Sequence, residues 1–125
     1  MDEISEEELK KYVKQFLKEL KDLIYEKGLI VWNLGRNRIS LLELGLTIVQ
    51  RKEIILSLSV EDYSSGPVKD KNYPGDYWVF GKQVGSVEIY IKLKIAGEAG
   101  EEHAICYSFH EAERPLQYPF IKKTN

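Results

Sequence analysis

A chain of 125 residues is long enough to close one hydrophobic core unaided, and its single cysteine, Cys106, excludes an internal disulfide. Its 18 basic and 20 acidic residues leave a formal net charge of −2. That balance excludes a globally basic nucleic-acid binder, so any grip on an RNA backbone has to come from a local cluster of cations. No apolar run approaches the roughly 20 residues that cross a bilayer. The sequence therefore predicts a soluble, cytoplasmic protein with no membrane partner, in which Cys106 is a small, reduced core residue.

The first stretch, "SEEELKKYVKQFLKELKDLIYEKG", predicts a long amphipathic helix. Ser5 caps it with Glu8 returning the bond, acids crowd its first turn, and Gly28 stops it. Leu9, Tyr12, Val13, Phe16, Leu20, Leu23 and Ile24 form one stripe of period 3.6. "LIVWN" at 29–33 is apolar and β-branched and reads as a short strand. "RISLLELG" predicts a short helix ended by Gly45. "LTIVQRKEIILSL" predicts another, with Thr47 and Gln50 as a second capping box, and Ser59 with Glu61 and Asp62 starts a further helical turn.

From Tyr63 the character changes. "YSSGPVKDKNYPGD" gathers prolines and glycines among polar residues and predicts a loop over 63–76. "YWVFGKQV", "SVEIYIKLKIA" and "EHAICYSFHE" then read as three strands joined by tight turns, an antiparallel meander over 77–111. The expected organisation is one domain over 1–125: a helical half at 1–62, the loop, the meander and a tail at 112–125. Helices first and a meander afterwards predict an α+β fold, with N-terminal helices packed on one face of a twisted antiparallel sheet and the other face free.

Strand periodicity sorts the side chains of that sheet. In "SVEIYIKLKIA", Ile89, Ile91, Leu93 and Ile95 share one face, and Glu88, Tyr90, Lys92 and Lys94 the other. In the next strand Ile105, Tyr107 and Phe109 alternate against Ala104, Cys106, Ser108 and His110. With both apolar sets under the helices, Tyr90, Lys92, Lys94, Ser108 and His110 project together, and the small Ala104, Cys106 and Ser108 leave room for a substrate. Cleavage of an RNA phosphodiester needs such a set: a base for the 2′-hydroxyl, an acid for the leaving 5′-oxygen, and cations for the charge on phosphorus. Histidine suits the first two roles and lysine or arginine the third.

Plainer readings compete at each position. Alternating Lys and Tyr on an open strand face is often only a solvated surface, and a strand-end histidine is often a structural hydrogen-bonder. Trp32 and Trp78 read as core or loop packing rather than base-stacking platforms. A zinc site from His103, Cys106 and His110 is dismissed: Cys106 and His110 share a face but His103 points away, and no CxxC spacing exists.

Several segments resemble one known family. "LLELGLTIVQRKEIILSLSVEDYSSGP", "WVFG", "VEIYIKLKI" and "ICYSFHEAE" occur in the order and spacing of the MqsR (motility quorum-sensing regulator) family of bacterial toxins, over roughly residues 8–113. The resemblance implies a RelE-like fold and a metal-free endoribonuclease that cleaves single-stranded mRNA without a cofactor. It also implies a protein partner, an antitoxin with a zinc-binding domain. The family's catalytic tyrosine falls on Tyr90, with Lys92 two positions on, and its last-strand lysine falls on His110. A further family lysine falls near Ser65, where Lys69 or Lys82 are the candidates to replace it, and a family glutamine falls near Tyr77 and is not kept. The expected catalytic residues are thus Tyr90, Lys92 and His110. The expected substrate contacts are Lys82, Lys94, Tyr63 and Arg114, the last held near His110 by Pro115 and able to bind phosphate through its planar fork.

Overall fold

The computed structural model describes residues 4–121. Helix α1 (Glu6–Lys27) begins at the predicted cap: the Ser5 side chain accepts from the Glu8 N–H at 3.1 Å, but the expected return bond from the Glu8 side chain is not made among the described residues. Gly28 ends it with a φ of 87°. Its buried residues are Val13, Phe16, Leu17, Leu20 and Ile24, while Tyr12, expected on the stripe, is exposed. Strand β1 (Leu29–Val31) follows, then α2 (Leu34–Leu44), ended by Gly45 in the left-handed region. Helix α3 (Ile48–Leu56) starts at the reciprocal Thr47–Gln50 capping box, and a 3₁₀ turn covers Val60–Asp62.

One five-stranded sheet takes the remainder, in the order β1-β5-β4-β3-β2. Strands β2 (Tyr63–Lys69), β3 (Asp76–Val84), β4 (Val87–Ala96) and β5 (His103–Glu111) pair antiparallel, and β1 joins β5 in parallel. Helices lie on one face. Phe16 of α1 stacks on Trp78 and Phe80 of β3, and Ile89, Ile91 and Leu93 of β4 are wholly buried in the same cluster. The α+β class and the helix-on-sheet arrangement are therefore as the patterning predicts, and none of the described helices is long and apolar enough to cross a membrane.

Two expectations fail. Residues 63–69 are an edge strand rather than loop. Its ladder with β3 shifts register twice, between Tyr63 and Ser65 and between Ser65 and Val68. Those irregularities accommodate the glycine and proline that make the segment read as loop, and an edge strand tolerates a missing N–H.

The second concerns β5. Cys106 pairs with Leu93 but Ser108 pairs with Lys92, so Tyr107 is an extra residue, a β-bulge. The bulge reverses the alternation ahead of it. Ala104 and Cys106 face the helices and are fully buried, while Ile105 and Tyr107 turn to the other side with Ser108 and His110. Ala104 and Cys106 therefore leave no room for a substrate, and Cys106 does not share a face with His110. Burial pushes the Cys106 thiol up to about 12, so it stays protonated in the core.

Asn37 of α2 holds the bulge. Its buried amide donates to Trp32 O at 2.6 Å and to Tyr107 O at 3.2 Å, tying β1, α2 and β5 at one point. Asn37→Ala removes the donor both carbonyls share and is expected to destabilise the fold by about 1–3 kcal/mol. Urea denaturation reads this directly, and an unchanged midpoint would mean the bulge is held by its strand partners alone.

Candidate functional site

The sheet face away from the helices is framed by two straps. At one end residues 70–75 fold back over it, pinned by Asp70. The Asp70 carboxylate accepts from Lys94 Nζ at 2.7 Å, from the Tyr107 hydroxyl at 3.4 Å, and from the backbone N–H groups of Asn72 and Tyr73 at 2.9 and 3.3 Å. The ion pair with Lys94 and these bonds hold the carboxyl well below the usual carboxylate range. At the other end the tail crosses the face from β5. Glu88 accepts from Leu116 N–H at 3.0 Å and from the Tyr118 hydroxyl at 2.6 Å, and Phe120 then stacks on Tyr63 at 5.0 Å.

Gly81 explains how the tail lies so close. A Cβ there would collide with the Tyr118 hydroxyl and the Leu116 side chain. Hydrogen bonds to a charged acceptor contribute about 1.5–3 kcal/mol each, and burying a phenylalanine contributes a similar amount. With all three anchors the tail is a fixed wall.

Between the straps β4 and β5 present Tyr90, Lys92, Ser108 and His110. Tyr90 pairs with His110 across the ladder, their rings stacked at 5.0 Å and 16°. His110 Nδ1 lies 2.8 Å from Glu111 O, and since a carbonyl only accepts, Nδ1 carries the proton of this contact. In the neutral ring Nε2 is then the free base. Burial raises the Tyr90 phenol above its ordinary value, so it is a hydrogen-bond donor near neutral pH.

Two clefts of about 410 Å³ each meet at Tyr90. One is lined by Tyr90, Ser108, His110 and the tail residues Glu113, Arg114 and Leu116. Arg114 and the acidic Glu113 thus line the same cleft as His110. The other lies over β2–β4 and brings Lys69, Lys71 and Lys92 around Tyr77 and Ser65. Its acid, Asp70, is already paired to Lys94, so this second cleft is the more basic of the two. Lys92 Nζ sits 3.9 Å above the centre of the Tyr77 ring, a cation–π contact that aims it across the face.

Three expected substrate contacts are not available. Lys94 is 1% exposed, consumed by Asp70 and roofed by the 70–75 strap; its partner was invisible to strand periodicity. Tyr63 is 4% exposed, its ring packed among Phe80, Trp78 and Phe120. Lys82 stands opposite Ile89, on the helix side with Phe80, and pairs with Asp62 at 3.2 Å. Of the two candidates to replace the lysine near Ser65, only Lys69 therefore reaches the face. Lys71, Tyr107 and Asp70 were missed. Lys71 and Asp70 lie in the segment read as a loop over 63–76, and its length was the only signal that could have drawn attention to them.

No protein-family model, no curated protein and no solved structure matches the chain.

Proposed function

We propose that the chain is a metal-independent endoribonuclease of single-stranded RNA, acting as toxins of the MqsR family do and restrained by a zinc-containing antitoxin. The observation that carries the reading is the convergence of Tyr90, Lys92, Ser108 and His110 on one framed sheet face, with Arg114 lining the same cleft as His110. His110 Nε2 takes the proton of a ribose 2′-hydroxyl as that oxygen attacks phosphorus. Tyr90, held as a phenol, donates toward the leaving oxygen. Lys92 and Arg114 face the charge that builds on the phosphate. The 5′-oxygen departs with the proton of the Tyr90 hydroxyl, leaving a 2′,3′-cyclic phosphate and a 5′-hydroxyl, and the phenolate and protonated His110 return to their starting states by exchange with solvent.

A second reading, a non-catalytic RNA- or protein-binding module on the same scaffold, is favoured by Ser65 and Tyr77, which stand where the family pattern has a lysine and a glutamine. Incubating the protein with 5′-labelled single-stranded RNA in EDTA separates the two. The expected result is discrete fragments ending in cyclic phosphate, formed at a rate that falls steeply with salt, because lysine–phosphate contacts release counterions. RNA that is bound but stays intact would replace the first reading by the second.

A further inference from the structure

Beyond the candidate catalytic residues, the same face carries a row of aromatic rings that the cleavage chemistry leaves unused. Trp32 follows β1 directly. Its N–H donates to Cys106 O at 2.9 Å and its carbonyl is held by Asn37, so its backbone is fixed beside the bulge while the residue is 42% exposed. Tyr73 reaches it from the 70–75 strap, its N–H bonded to Asp70 and the residue 55% exposed. The two rings meet edge-on at 5.9 Å and 75°, forming a half-exposed aromatic corner. Behind them Tyr107 lies 5.7 Å from Trp32 and 4.9 Å from Tyr77, whose ring carries Lys92. Aromatic contacts thus run without a break from the exposed corner to a proposed catalytic cation.

We propose that Trp32 and Tyr73 form a base-stacking subsite for single-stranded RNA, holding a nucleobase beside the scissile phosphate; this rests on the ribonuclease reading above. Trp32 and Tyr73 touch each other and Tyr107, so their exposed surface is a contiguous aromatic patch held on hydrogen-bonded backbone rather than scattered single residues. The charge around them selects the class of ligand. Lys69 and Lys71 line the cleft next to the strap that carries Tyr73, and Lys92 lies at the far end of the ring row. Half-exposed aromatic rings beside lysines suit the alternating bases and phosphates of a single strand, whereas an apolar peptide would leave the lysines unanswered. Stacking on an indole or phenol tolerates any base, so the subsite adds affinity and register more than sequence choice.

The test is binding of a short fluorescein-labelled single-stranded RNA, followed by anisotropy, together with the intrinsic tryptophan fluorescence of the protein. Trp78 is half-buried against Phe16 on the helix side of the sheet, away from the subsite, so quenching that Trp32→Phe abolishes reports Trp32. Trp32→Ala is expected to weaken binding roughly 5- to 100-fold, Tyr73→Ala by a similar factor, and Trp32→Phe much less while abolishing the quench. An abasic strand of the same length should bind the wild type and Trp32→Ala equally, because it keeps the phosphates and lacks the bases. The proposal is overturned if RNA does not bind, if Trp32→Ala and Tyr73→Ala both bind like the wild type with melting unchanged, or if the abasic strand loses as much as the RNA. Quenching and base-dependent binding without cleavage would leave the subsite standing and remove the ribonuclease reading. Cleavage by Trp32→Ala and Tyr73→Ala at wild-type rate and affinity would do the reverse.

Discussion

His110→Ala is expected to lower RNA cleavage by about 10²- to 10⁴-fold, the range that a positioned proton-transfer group contributes, with little change in thermal stability. The separation follows from where the side chain sits. Its ring rests on Tyr90 at the sheet surface, and its one hydrogen bond is to the neighbouring Glu111 carbonyl, so truncation opens no cavity in the core. Tyr90→Phe keeps that stack and removes only the hydroxyl, and is expected to cost roughly a hundredfold if the phenol donates to an oxygen in the transition state. Lys92→Ala should reduce cleavage and also flatten its salt dependence, since one phosphate contact is lost. Single-turnover rates at saturating protein distinguish these from binding defects. Full-rate cleavage by a folded His110→Ala protein would sink the assignment and return His110 to the role of a strand-end residue.

How far the site could be read in advance depended on the regularity of each strand. In β4 the period of two runs unbroken, and Tyr90 and Lys92 emerge opposite Ile89, Ile91 and Leu93 as the pattern requires. In β5 one residue too many sits at Tyr107. Counting back from Phe109 still places Ser108 and His110, because they follow the bulge, but it inverts Ala104 and Cys106, which precede it. A bulge has no signature in the alternation of side chains; what holds it, Asn37, lies on a helix 70 residues away. Lys94 failed for a related reason. Its parity is that of Tyr90 and Lys92, but its neutralising acid comes from the fold-back of a distant segment. Lys82 has the parity of Trp78 and Phe80, so its place on the helix side was legible in β3 once parity was preferred to charge. The helices were the clearest part, because capping at Ser5 and Thr47 is a local hydrogen-bond pattern written within four residues.

Asp70→Asn is expected to lower the melting temperature by about 10 °C, because it strands a buried lysine charge without its partner, the costly way to break an internal ion pair. Lys94 and Asp70 side chains are each 1% exposed, and an amide nitrogen in place of Oδ2 also takes the acceptor from the Tyr107 hydroxyl. Replacing both partners, Asp70→Leu with Lys94→Met, removes the charges together and should recover much of the loss, since a well-packed apolar pair often matches a buried ionic one. The recovery would not extend to the face itself. Without the carboxylate the Asn72 and Tyr73 N–H groups lose their acceptor, so the strap that presents Tyr73 to Trp32 should loosen even in the stable double variant. Acid titration gives an independent reading. Asp70 is held below its ordinary value, so its contribution is present above the unfolded carboxylate value near pH 4 and is withdrawn as pH falls through the lower folded value. Urea midpoints measured from pH 7 to pH 3 should therefore fall more in the wild type than in the double variant. Equal slopes, together with unchanged melting of Asp70→Asn, would mean that the strap is held by its backbone and that the ion pair is incidental to it.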